Sequence, residues 1–167
     1  AWAGANTFFT VVVGASVIAA VLMYAKADVL VAWMAPGLDA ATAAKAVDLT
    51  RILLPCVPLL TLSAVLSAIS NARERFVLPA LEGVLTNVTV IGMALLAAST
   101  LGVQALTLGV LAGFVLQAGV LIWGNRDLLA SSVRPRLAFA HPDFRGPAGH
   151  LLPLFVGSAG SVFTGLI

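Results

Sequence analysis

Cysteine, histidine and charged residues are all scarce in this sequence. Among 167 residues there are one cysteine, Cys56, and two histidines, and only 10% of the residues are charged. A single cysteine excludes an intrachain disulfide, and no set of Cys and His residues has the spacing of a metal site. The sequence also has no HExxH, no glycine-rich phosphate loop and no evident Ser/His/Asp grouping. We therefore expect neither an enzyme nor a protein with a bound metal or cofactor.

Apolar residues take the place of the missing charge. The chain is 60% hydrophobic with a mean hydropathy of +1.07, whereas a soluble domain is roughly 45–50% apolar and about 25% charged. A chain of this composition cannot cover itself with polar surface, so its expected solvent is the lipid bilayer. The net charge of +2 comes without any basic run that alternates with aromatic residues, which argues against nucleic acid as a partner.

Apolar runs of membrane length, uncharged except for Glu82 in the third, predict an all-α, polytopic transmembrane bundle. We expect four full spans and the start of a fifth, at about residues 7–25, 52–70, 77–98, 103–123 and 151–167. Only 14 residues follow Pro153 in the last run, fewer than the ~20 that a span needs. The chain also begins at Ala1 rather than at a methionine. The expectation is a single membrane-embedded fragment of a larger protein.

Prolines and glycines mark where these helices bend, stop or pack. Pro55 and Pro58 in the second span, and Pro79 at the start of the third, are the expected kink positions because proline removes a backbone donor. Before the second span, either Asp39 or Thr42 is expected to cap a helix. In the fourth span, Gly109 and Gly113 form a GxxxG pattern, which we interpret as a helix-packing surface.

The distribution of arginine and lysine predicts the orientation. The turn at 71–76 and the polar segment at 124–149, which is suited to lying on a headgroup surface, fall on one side of the membrane. That side carries six arginines, at positions 73, 75, 126, 134, 136 and 145, and the other carries Lys26, Lys45 and Arg51. Because positive loops face the cytoplasm, the first side is predicted to be cytoplasmic.

Polar residues inside or beside the spans are the candidate site residues, because they are costly in lipid. Glu82 either snorkels or pairs with Arg73 or Arg75, or it faces a water-filled cavity. Asn87 and Gln117 are expected to hydrogen-bond to another helix or to line that cavity. For Arg51, at the entry to the second span, headgroup contact and binding of an anion remain open.

Four motifs in order resemble the MurJ (MviN) family. They are Ala35-Pro36-Gly37; Leu49-Thr50-Arg51-Ile52-Leu53-Leu54-Pro55; Asn71-Ala72-x-x-Arg75-Phe76-x-x-Pro79-Ala80; and Asn87. The similarity runs over essentially the whole chain, including the lengths between motifs. The family consists of lipid II flippases in the multidrug/oligosaccharidyl-lipid/polysaccharide exporter superfamily.

The resemblance implies a transporter of about fourteen helices, in which this chain is the third to the start of the seventh helix and most of the N-terminal lobe. It implies a multi-pass protein of the bacterial inner membrane that moves undecaprenyl-diphosphate-linked peptidoglycan precursor by alternating access. Its partners would be this lipid, membrane lipids and the rest of the transporter. The family's cavity arginines lie mainly in helices outside this chain. Arg51, Arg75, Glu82, Asn87 and Gln117 are therefore predicted to contribute as cavity-lining or gating residues.

One departure from the family pattern keeps two alternatives open. Where the family usually continues Pro-Ala with an apolar residue, a small residue and a second proline, this chain has Leu81-Glu82-Gly83. An acid at this place is compatible with a flippase for another polyprenyl-linked glycan, such as an exopolysaccharide unit. A non-transporting membrane scaffold of cell-envelope synthesis is the alternative from a different class.

Overall fold

Every residue that the structure describes belongs to a helix or to a short connection between helices. The computed structural model describes residues 2–132, so the predicted fifth span and most of the polar segment 124–149 lie outside the described residues. The eight helices of this part are α1 (Trp2–Ala25), α2 (Ala27–Met34), α3 (Ala40–Leu53), α4 (Cys56–Ala72), α5 (Val77–Ala80), α6 (Glu82–Leu101), α7 (Val103–Gly124) and α8 (Arg126–Ser132). The predicted all-α class is confirmed for this part.

Three of these stretches are long and apolar enough to cross a membrane. They are Ala40–Ala72, Val77–Leu101 and Val103–Gly124, and a fourth is added if the bent pair Phe9–Ala25 and Ala27–Met34 counts as one span. The chain divides into two compact units, and the unit Val12–Ser131 contains almost all of the described residues. The described residues of the other unit are 2–11, which form the first turns of α1, and Ser132.

A sharp bend separates α1 from α2. The two helices meet at 79° around Lys26, a position with neither proline nor glycine, so the sequence predicted no bend there. Helix α2 packs against α3 through a face that includes the buried Ala27 and Val31, while Trp33 on the opposite side is 82% exposed. Before α3, Asp39 is the N-cap, because its carboxylate accepts a hydrogen bond from the Thr42 backbone N–H at 3.1 Å.

Helices α3 and α4 form one candidate span of 33 residues, longer than the predicted 52–70. The interruption falls at Leu54 and Pro55. Pro58 has no N–H to donate to the Leu54 carbonyl, which instead accepts the Val57 N–H at 3.1 Å. The predicted third span likewise consists of α5 and α6, with a break at Leu81, two residues after Pro79.

Helices α6 and α7 make the most extensive helix–helix contact in the described part of the chain. A Cβ atom added to Gly113 would lie 2.9 Å from the Thr86 Cα, and one added to Gly109 would lie 3.0 Å from the Val90 Cα. Both glycines are buried. Their missing side chains let the two backbones approach, as the GxxxG pattern predicted. Gly102, with φ of +57°, joins the two helices in a conformation that only glycine adopts readily.

Candidate functional site

The turn at 71–76 is fixed against the end of α7 by two arginines. Arg73 Nη2 donates to Asp127 Oδ2 at 2.7 Å, and Arg75 Nη1 donates to the Gly124 carbonyl at 2.8 Å. The turn after α4 and the segment after α7 therefore lie at the same end of the bundle. This is the relation between the two loops that alternating spans predicted.

The charges of this contact alter each other's protonation. The hydrogen bond from Arg73 is the main reason that the pKa of Asp127 falls to about 2 from its ordinary value of 3.8, and the same bond raises the pKa of Arg73. Arg75 Nη1 lies 4.0 Å from the other carboxylate oxygen of Asp127. Both partners of the ion pair thus stay charged over a wide pH range.

A fully buried amide supports this end of the bundle from inside. Asn125 Nδ2 donates to the Ser70 hydroxyl and to the Leu121 carbonyl, both at 2.9 Å. Ser70 in turn donates to the Leu66 carbonyl. Asn125 and Ser70 are each 0% exposed, so these hydrogen bonds connect α4 to the end of α7 without access of solvent.

Glu82 is placed between helices rather than beside the arginines. Its Oε1 accepts a hydrogen bond from the Ser67 hydroxyl of α4, and the side chain is half-buried. Arg73 and Arg75 are engaged with Asp127 and Gly124 instead. The alternative in which Glu82 pairs with one of these arginines was wrong for this structure. The carboxylate links α4 to the first turn of α6.

The two amides in the spans have different surroundings. Gln117 is 4% exposed, and its Oε1 accepts the Thr86 hydroxyl at 3.3 Å across the α6–α7 contact, which confirms the predicted bond to another helix. Asn87 is exposed and has no hydrogen-bond partner among residues 2–132. It lies on an apolar face of α6 beside Val84, Val88 and Ile91, each more than half exposed.

The remaining candidates lie where α1 meets α3 and α4. The Arg51 guanidinium is 5.8 Å from the centroid of the Tyr24 ring. Pro55 and Pro58 line an apolar pocket of about 330 Å³ in the same region. Helix α5, which carries Pro79, packs against α4, α6 and α7, and Pro79 does not line this pocket. The eight predicted residues therefore do not form one cluster.

Sequence reasoning did not single out the serines of α4. Ser63, Ser67 and Ser70 recur at intervals of four and three residues, which places them on one helix face. Ser67 binds Glu82 and Ser70 binds Asn125, whereas the buried Ser63 hydroxyl has no partner in the described part. Their helical spacing within an apolar run was the signal that would have identified them.

Together, these helices and their buried polar contacts define a multi-pass helical membrane protein. Among residues 2–132, no group of His, Cys, Asp and Glu is arranged to hold a metal ion. The sequence matches the family described as "Lipid II flippase MurJ" over residues 4–167, so the chain belongs to the MurJ family. No curated protein and no solved structure matches the chain at a significant level.

Proposed function

We propose that this chain forms part of the N-terminal lobe of a transporter that moves undecaprenyl-diphosphate-linked peptidoglycan precursor across the bacterial inner membrane. Membership of a lipid II flippase family is the observation that carries the proposal. The lipid-linked headgroup crosses in a central cavity, and one lobe rocks against the other around it. The loops at 71–76 and after Gly124 face the cytoplasm, where arginine is favoured.

The exposed face of α6 supplies the wall of this cavity. None of the candidate span Val77–Leu101 is buried within the structure, yet the face carries Asn87 with no partner. An amide facing lipid tails would lose its hydrogen bonds to water without compensation. A water-filled path for a polar headgroup removes that cost.

The other candidates act around this wall. Gln117 holds α6 against α7 from behind, through Thr86. Glu82 joins the start of α6 to α4 through Ser67. Arg75 holds the cytoplasmic turn to the end of α7, so a rearrangement of this turn would move α4 and α7 together. Arg75 is thus a gating position just beyond the end of the span Ala40–Ala72.

Transport of labelled lipid II by the complete protein in vesicles tests the proposal. We expect the label to become accessible from the opposite leaflet at a rate above that of protein-free vesicles. A scaffold would produce no movement of any lipid, and that result would contradict the transport function.

A flippase for another polyprenyl-linked glycan is the second candidate, and Glu82 is the observation that favours it. This chain has Leu81-Glu82-Gly83 where the family usually has an apolar residue, a small residue and a second proline, and an acid at this place is compatible with a different lipid-linked glycan. Exopolysaccharide lipid and lipid II should be compared in the same vesicles. Faster movement of the exopolysaccharide lipid would assign the protein to that substrate.

A further inference from the structure

Arg51 is a half-buried cation that forms no ion pair within residues 2–132. Its Nε atom is buried and has no hydrogen-bond partner, and its guanidinium contacts the ring of Tyr24. Asp48, three residues earlier on α3, is exposed and forms no ion pair with it in the described part of the chain. Removing a cation from water is costly unless an anion compensates it. The position is therefore prepared for a negatively charged group.

An apolar groove begins next to this cation. It has a volume of about 330 Å³ and lies between α1 and the α3–α4 break, where its walls include Ala20, Val21, Tyr24, Leu54, Pro55 and Pro58. Leu54 and Pro55 follow Arg51 by three and four residues, which places them on the same helix face. Tyr24 belongs to the groove and also contacts Arg51. The cation therefore stands at one end of the groove.

We propose that this groove binds one glycerophospholipid of the surrounding bilayer. The phosphodiester accepts hydrogen bonds from the accessible Nη groups of the half-buried Arg51 guanidinium, and one acyl chain occupies the groove. A guanidinium matches the oxygens of a phosphate through its fixed fork of donors. Burial of the acyl chain covers the apolar walls in the same binding event.

The charges of the site favour a phospholipid over a polyprenyl diphosphate. A phosphodiester carries one negative charge, which matches the single positive charge of Arg51 beside the groove residue Tyr24. A diphosphate carries more charge and calls for additional cations. Arg51 precedes Asn71, the start of the arginine-rich turn, by 20 residues, which is about 30 Å at 1.5 Å per helical residue, so the bound lipid belongs to the leaflet opposite this turn. This lipid site is separate from the proposed transport path and needs no transport to be detected.

Native mass spectrometry of the complete protein, titrated with phosphatidylglycerol, tests the proposal. Arg51→Gln is expected to raise the dissociation constant about tenfold, since a hydrogen bond to a charged group is lost. Lys45→Gln, which removes an exposed cation from the same helix, is the matched control and should change nothing. Val21→Trp is expected to weaken binding by filling the groove. Val21 is 61% exposed, and Leu95→Trp at the 81% exposed Leu95 is its control.

Three results would overturn the proposal. The first is unchanged phosphatidylglycerol binding in Arg51→Gln or in Val21→Trp. The second is competition by inorganic phosphate at the same concentration as the lipid, which would mean that the groove contributes nothing. The third is displacement by a polyprenyl monophosphate at lower concentration than phosphatidylglycerol, which would assign the groove to the polyprenyl lipid. If Arg51→Gln unfolds, two other variants decide the outcome: Val21→Trp, and Arg51→Lys, which keeps the charge without the fork of donors and should retain part of the binding.

Discussion

Arg73 Nη2 lies 2.7 Å from Asp127 Oδ2, although 54 residues separate the two along the chain. The pair joins the turn after α4 to the helix that follows α7. It therefore fixes two loops at the same end of the bundle to each other. One of these loops contains the motif Asn71–Ala80 that resembles the family.

Acid is expected to weaken this contact. The pKa of Asp127 is about 2 in the folded protein, against an ordinary 3.8. Because the pKa of Asp127 is lower in the folded protein, its ionised carboxylate stabilises the fold at any pH above the pKa in the unfolded chain. This stabilisation disappears as the pH falls from about 4 to about 2. We expect Asp127→Asn to remove this part of the pH dependence of the melting temperature. Asp48→Asn, at another exposed aspartate, should leave it in place; equal curves for wild type and Asp127→Asn would contradict the assignment.

The buried Ser70–Asn125 contact should contribute measurably to stability. Hydrogen bonds between membrane helices contribute about 0.6 kcal/mol on average, and buried polar pairs reach about 1–1.5 kcal/mol. A double-mutant cycle with Ser70→Ala and Asn125→Ala is expected to give a coupling of about 1 kcal/mol in the free energy of unfolding. Asn71→Ala, at an exposed amide of the same turn, serves as the control. A coupling of zero would show that the two side chains act independently.

Gly113 and Gly119 lie on the same helix, but only Gly113 is in contact with a neighbour. A methyl group at Gly113 would meet the backbone of Thr86, whereas nothing lies within 4 Å of one at Gly119. Gly113→Ala is expected to cost about 1–3 kcal/mol of unfolding free energy through overpacking. Gly119→Ala should be neutral, or stabilising by up to about 1 kcal/mol through helix propensity. Equal effects of the two substitutions would contradict the close approach of α6 and α7.

Local patterns predicted the elements of this fold but not their partners. The long apolar runs identified the membrane helices. Asp39 was one of two predicted caps, and Gly109 and Gly113 were the predicted packing surface. The bend at Lys26 was missed because neither proline nor glycine marks it. The sequence offered Arg73 or Arg75 as the partner of Glu82, yet its partner in the structure is Ser67 on α4. The partner of such a side chain depends on how helices that are distant in sequence pack together, and the spacing of nearby residues does not encode that packing.

The proposed cavity wall rests on the exposed face of α6, and labelling of Asn87→Cys tests it most directly. In the complete protein, with Cys56→Ala as background, a water-soluble maleimide should label a cysteine at position 87 and lipid II should slow the reaction. Asn71→Cys, in the exposed turn, gives the rate for full access to water, and Met93→Cys, against α7, gives the rate for a packed position. The account predicts that position 87 reacts at a rate close to that of position 71. A rate equal to that of position 93, with no effect of lipid II, would contradict it.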